Sequence, residues 1–310
     1  QPSARSGGRL KAEMRIELYF WLATVIPTLM GSPTGEAHGA ATESAADGRT
    51  FYASPRGSDT HSGSLSAPFQ SAQRCVAAAS LPGDSCLLRN GIYREQVRLN
   101  HTGGSSAAAV TLAGFPGERA VISGLDVVSP RTGWNHVRKL PSGASVYEAY
   151  TDSEYSALFV NGLLQMSARW PHVRLQDSWD RSHTFAITGK RSALVQNSTP
   201  PTALLDIDGA PAGVNWVGAL VCLSVGFQSK CTTVLGVEAP GLVRVQAAVC
   251  QHCTGSRGWK RREYFLSGPT GAIGVSGEWS QDGGKITVAL PPGTTPSDVV
   301  IEGRVRHAAL

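Results

Sequence analysis

The chain has no apolar run long enough to cross a bilayer comfortably as a helix. Its N-terminal run Leu18–Met30 is short, with Lys11 and Arg15 before it and the small-residue segment Ala37-His38-Gly39-Ala40 after it. That order is the signature of an export signal, with a membrane anchor as the rival reading. There is no glycine-rich nucleotide loop, no nucleophile elbow and no nucleic-acid module. Charge is sparse, at 16% of residues with a net charge of +5. A surplus that small permits an acidic partner without demanding one. The carboxylates Asp177, Asp180, Asp206 and Asp208 lack the spacing of a calcium loop.

What is abundant is glycine (35) and proline (18), beside a hydrophobic share of 41%. That balance predicts a folded, β-rich chain with many turns. Residues 1–39 read as a leader containing a signal peptide, and 40–50 as a small, polar linker. From 51 to 128 short strands recur at Thr50–Ala53, Cys86–Leu88, Gln96–Leu99, Val110–Leu112 and Ala120–Ile122. Strands of three or four residues cannot bury a face alone, but stacked as parallel rungs they share one core. Ser71–Ala79 predicts a helix with Ala72, Cys75, Val76 and Ala79 on one face, ended by Pro82-Gly83. It would cap the first rung. From 129 to 298 the rhythm changes to hairpins, marked by Asn161-Gly162 and Asp282-Gly283-Gly284. This part reads as an inserted antiparallel β-rich domain. Val299–Ile301 reads as a return to the rungs, so that 299–310 would be a truncated stretch of them.

Six cysteines in an exported chain suggest disulfides. Cys75, late in the helix, and Cys86, opening the next strand, are candidates to bridge; two buried free thiols are the other reading. Cys222, Cys231, Cys250 and Cys253 are the remaining candidates, with the pairing open. Zinc on these four would put His252 beside the last pair, but the spacing of Cys222 and Cys231 is not that of a usual knuckle. No metal or other cofactor is read from the residues.

The order Tyr52-x-Ser54-Pro55-x-Gly57-Ser58-Asp59, Gly63-Ser64-x-x-x-Pro68-Phe69, Pro82-Gly83-Asp84 and Gly91-Ile92-Tyr93-Arg94-Glu95 resembles the start of bacterial right-handed parallel β-helix proteins of the pectate-lyase-like superfamily. Phe115–Glu118, Val121–Gly124, Leu158–Gly162 with Ala168–Pro171, Tyr264–Leu266 and Gly277–Trp279 extend the match. The resemblance implies an all-β fold: the beginning of a right-handed parallel β-helix with an N-terminal capping helix, plus the inserted domain. It also implies a secreted, periplasmic or cell-surface protein acting on polysaccharide by lyase or glycoside hydrolase chemistry. Calcium is implied only as the family's lyases use it. The catalytic rungs would lie beyond this chain, so no residue is carried over as catalytic; a non-catalytic glycan-binding or structural role is the alternative.

Two residues are candidates for substrate contact. An indole face such as that of Trp170 stacks on a sugar ring, and a guanidinium such as that of Arg169 forks onto a carboxylate. The competing expectation is that Trp170 packs the insert and Arg169 ties down a loop. Arg257, Lys260, Arg261 and Arg262 around Trp259 form a basic cluster that would attract acidic glycan or simply be solvated.

Overall fold

The computed structural model describes residues 48–99, 109–177, 184–195, 199–225, 228–246 and 262–309. In chain order the front part holds β1 (Thr50–Ala53), α1 (Ala72–Ala78), β2 (Ser85–Leu88), β3 (Gly91–Arg94), β4 (Thr111–Gly114) and β5 (Ala120–Ser123). Every pairing here is parallel. One ladder runs β1-β2-β4 and a second runs β3-β5. The chain therefore goes β2 to β3, then β4 to β5, with β4 paired to β2 and β5 to β3.

The helix forms because its helix-favouring sequence is capped from three directions. Ser71 Oγ accepts from Arg74 N at 3.1 Å, and Asp59 holds Ser71 in place through its N–H and hydroxyl. Glu95, just past β3, accepts from Ala72 N and Gln73 N at 2.8 and 2.9 Å. Its apolar face (Ala72, Cys75, Val76, with Ala79 just beyond) packs on Ala53, Cys86, Leu88, Tyr93 and Val97. The Cys75–Cys86 disulfide staples helix to strand. Below it, buried Asp84 accepts from Leu81 N and from the Arg49 backbone and guanidinium, which holds its carboxyl well below the usual carboxylate range. Tyr93 hydroxyl sits within 3 Å of the Ala53 and Arg89 carbonyls, and burial pushes its pKa up to about 12.

The rest of the chain is mainly antiparallel. It contains β6 (Leu125–Val127), β7 (Asn135–Lys139), β8 (Ser145–Tyr150), β9 (Leu158–Val160), β10 (Leu163–Leu164), β11 (Met166–Ser167) and β12 (Arg169–Trp170). Then follow β13 (Ala186–Ile187), β14 (Ala193–Val195), β15 (Thr202–Asp206), β16 (Leu220–Val225), β17 (Gln228–Ala239) and β18 (Leu242–Gln246). The series ends with β19 (Glu263–Ser267), β20 (Glu278–Asp282), β21 (Lys285–Leu290) and β22 (Ile301–Arg304).

They build three sheets: β10-β9-β22-β6, β11-β20-β21-β8-β7, and β12-β19-β16-β17-β18-β15-β14 with β13 on β19. The five-stranded sheet lies in the middle because both its faces are apolar. Val146 and Ala289 enter the core shared with the largest sheet, while Ala149, Ile286, Val288 and Leu290 face the core shared with Leu158, Val160 and Ile301. The alternation along each strand makes this possible. Both anticipated tight turns are present. Asn161 (φ 49°) and Gly162 (φ 76°) join β9 to β10, and Gly283 and Gly284, also at positive φ, join β20 to β21.

Three expectations are corrected. Gln96–Leu99 is not a strand; β3 precedes it, and Arg98 N bonds the Gln73 side chain instead of a ladder partner. Leu125–Val127, assigned with the early rungs, pairs antiparallel with β22. The segment at Val299–Ile301 forms its strand at Ile301–Arg304 and runs antiparallel to both β9 and β6. It is drawn there because Ile301 buries its side chain in the core of the Leu158 sheet.

Candidate functional site

A group of chemistry-bearing side chains surrounds β12, where the sequence placed its two contact candidates. Arg169 leaves β12 on the face opposite the core that Ala168 and Trp170 join, and is buried there beside Phe265. Its Nε donates to the Pro171 carbonyl at 3.0 Å and its Nη2 to the Thr184 carbonyl. The guanidinium lies over the Phe265 ring, 4.2 Å from the centroid. Burial pulls its pKa below the usual arginine range, and the nearby Glu278 carboxylate opposes that shift. These contacts tie down the loop after β12.

Trp170 points the other way and is half-buried against the core of the largest sheet. Its ring lies 5.8 Å from that of Tyr264 and passes over Gly209, where a Cβ would touch it at 3.8 Å. The peptide bond between Trp170 and Pro171 is cis, and His172 follows it. His172 Nδ1 donates to Glu278 Oε1 at 3.1 Å. Glu278 is fully buried, and its Oε2 accepts from Gly274 N at 2.8 Å and Val275 N at 3.3 Å. The imidazole lies so close over Gly274 that a Cβ there would stand 2.1 Å from Nε2. Only glycine fits.

The result is a buried carboxylate held by two backbone donors and a histidine, with a cationic guanidinium beyond. Chemically it can fix the turn at 270–276 against β12. Sequence reading named Arg169, Trp170 and the motif holding Glu278 but did not join His172 to Glu278, 106 residues away. No local spacing carries that information.

The other candidates separate. Cys222 and Cys231 face each other across the β16–β17 pairing and form a disulfide. That takes two of the four sulfurs of the zinc alternative out of thiolate chemistry. Cys250, Cys253, His252 and the basic cluster Arg257, Lys260 and Arg261 lie outside the described residues. Arg262 bonds Thr188 through its backbone. Asp206 is buried and engaged by Arg191, which, with backbone donors, holds its carboxyl below the usual range against the opposing effect of burial. Asp177 is exposed on a short 3-10 turn. Among the described residues no group of three His, Cys, Asp or Glu could hold a metal ion. Among them, too, no helix is long and apolar enough to cross a membrane.

Tyr264 is fully buried, and among the described residues its hydroxyl has no hydrogen-bond partner. A hydroxyl denied both water and a partner costs about 1–3 kcal/mol. Tyr264→Phe is therefore expected to raise stability by about 1–2 kcal/mol, read as a higher urea midpoint at unchanged slope. A lower midpoint would mean that the hydroxyl is satisfied in solution.

No protein-family model matches the chain, and no curated protein matches it. Solved structures do. One titled "Glycoside hydrolase" superimposes with a TM-score of 0.58 at 15% identity, over 83% of this chain and 46% of that one. A second, a complex of XylC with xylose, gives a TM-score of 0.40 at 15% identity over 84% of this chain and 32% of that one. This chain spans less than half the length of either. At such identity the first likeness speaks to fold.

Proposed function

We propose that this is an exported carbohydrate-active protein whose parallel ladders are the opening turns of a right-handed parallel β-helix capped by α1, and that it engages polysaccharide. The observation that carries the reading is the stacking of β2-β3 on β4-β5 in two parallel ladders, with α1 laid over the first turn. The fold shared with the structure titled as a glycoside hydrolase supports it. Two disulfides support an oxidising destination.

Binding without turnover is the second reading, and one observation favours it for these 310 residues. Glu278, Asp84 and Asp206, the buried carboxylates, are each engaged by a cation or by backbone donors. None of the three is left free of partners to act as one of the paired carboxylates, about 5–10 Å apart, that glycoside hydrolysis uses. On this reading the bond-breaking chemistry is assigned to further polypeptide.

Affinity electrophoresis through gels carrying uronate-rich or neutral polysaccharides, with reducing-end assays in parallel, tests this. The expected result is retardation by at least one polysaccharide, with no release of reducing ends by the isolated chain. A folded chain retarded by none of them would overturn the proposal. Turnover at an appreciable rate would overturn the assignment of chemistry to further polypeptide.

A further inference from the structure

The two parallel ladders stop at a bare edge, and the end of the described chain lies beside it. The printed bonds fix which groups point outward. Thr111 N bonds the Asp84 carbonyl and Phe115 N bonds that of Leu88, so the intervening Leu112 and Gly114 direct N–H and C=O away from β2. Gly91 N bonds the Arg119 carbonyl, so Ala120 and Ile122 direct theirs away from β3. Among the described residues no strand pairs with this outer side of β4 or β5. Val110, Leu112, Ala120 and Ile122 pack on the front core but remain only partly buried. These are the marks of an interior layer lacking its next neighbour.

The same register says where the coil resumes. Gly91 N to the Arg119 carbonyl is a step of 28 residues, from 91 to 119. The same step from Val97 ends at 125. Val97 N does not bond Leu125; it bonds the Ala309 carbonyl at 2.9 Å. A Cβ on Gly124 would lie 3.7 Å from the Ala308 carbonyl carbon. Between these points the chain leaves along β6 and returns along β22, which pair antiparallel as a stem from Leu125↔Arg304 to Val127↔Glu302. Arg94 clamps that stem to the ladder through the Leu125 carbonyl and Glu302, and Arg306 pairs with Asp126.

We infer that residues 125–308 are a single excursion from the second turn of the coil, that Ala309 takes up the position Leu125 would have held, and that the outward edge of β4 and β5 docks a further parallel turn supplied by the polypeptide following Leu310. The inference rests on the β-helix reading above but not on polysaccharide as its ligand. It moves the return to the coil from Val299 to Ala309.

Two measurements test it. In the 310-residue chain, Gly124→Cys with Ala308→Cys should form a disulfide in air, identified by mass spectrometry of a nonreduced digest. Absence of that bond in a folded chain would overturn the closed neck. In the chain extended by the gene's next codons, hydrogen exchange at Leu112, Gly114, Ala120 and Ile122 should slow by at least about 10-fold relative to the 310-residue chain. The amides of β1, already covered, should not change. Unchanged exchange at the four, or a stop codon directly after Leu310, would overturn the docked turn. A neck that closes and an edge that becomes protected, with no polysaccharide retained in gels, would sink the binding proposal and leave this one standing.

Discussion

Glu278→Ala should be the most damaging single substitution around β12, costing about 3–5 kcal/mol of stability. The carboxylate accepts from Gly274 N, Val275 N and His172 Nδ1, and it is fully buried. Truncation leaves both backbone donors unpaired away from water, each costing on the order of 1–3 kcal/mol. It also removes the negative charge that offsets the buried Arg169 guanidinium. For a folded unit of this size such a loss lowers Tm by about 10 °C. His172→Ala should cost less, on the order of 1–2 kcal/mol, because its ring is 30% exposed and water replaces part of the contact. Urea titrations of both single variants and the double variant give the coupling directly. A loss below about 1 kcal/mol for Glu278→Ala would mean that the turn at 270–276 is held by packing alone.

Removing the Cys75–Cys86 bridge should cost about 2–3 kcal/mol, or roughly 5–10 °C in Tm. The two cysteines are 11 residues apart and both are fully buried. In the chain-entropy account, closing that loop restricts the unfolded state far more than the folded one, where α1 already packs on β2. The double variant Cys75→Ala/Cys86→Ala, compared with the parent by thermal denaturation, measures the effect. The parent should also resist alkylation at these two positions without reductant. Free alkylation of both would remove the bridge from the account, and an unchanged Tm would show that the apolar face of α1 suffices by itself.

Much of this architecture was written locally. Ser71 before a helix-favouring run, then Pro82-Gly83 after it, set α1 to within a residue, because capping and termination act over one helical turn. Asn161-Gly162 and Gly283-Gly284 specified hairpins, since few other residues adopt those positive φ values cheaply. Cys75 and Cys86 were legible as a pair because helix and strand are joined by one short turn. What the local pattern could not supply was partnership between distant strands. The alternation at Gln96–Leu99 has strand character, yet its amides go to Gln73 and Ala309. Val299–Ile301 has the same apolar look as a rung, but its neighbours β6 and β9 impose antiparallel pairing.

The residues around β12 divide in the same way. Composition and motif drew attention to Arg169 and Trp170, and nothing in the sequence stated which way each would point. The two carbonyls that engage Arg169 and the buried Glu278 decide it. The sequence alone determined a β-rich chain with a capped helix, tight turns and a nearby cysteine bridge, because those depend on neighbours a few residues apart. Only the tertiary structure decided that Arg169 is buried beside Phe265, that His172 meets Glu278 and that Ala309 meets Val97. Such contacts join segments far apart in the chain, and they form only when burial and hydrogen bonding are satisfied across all the sheets together.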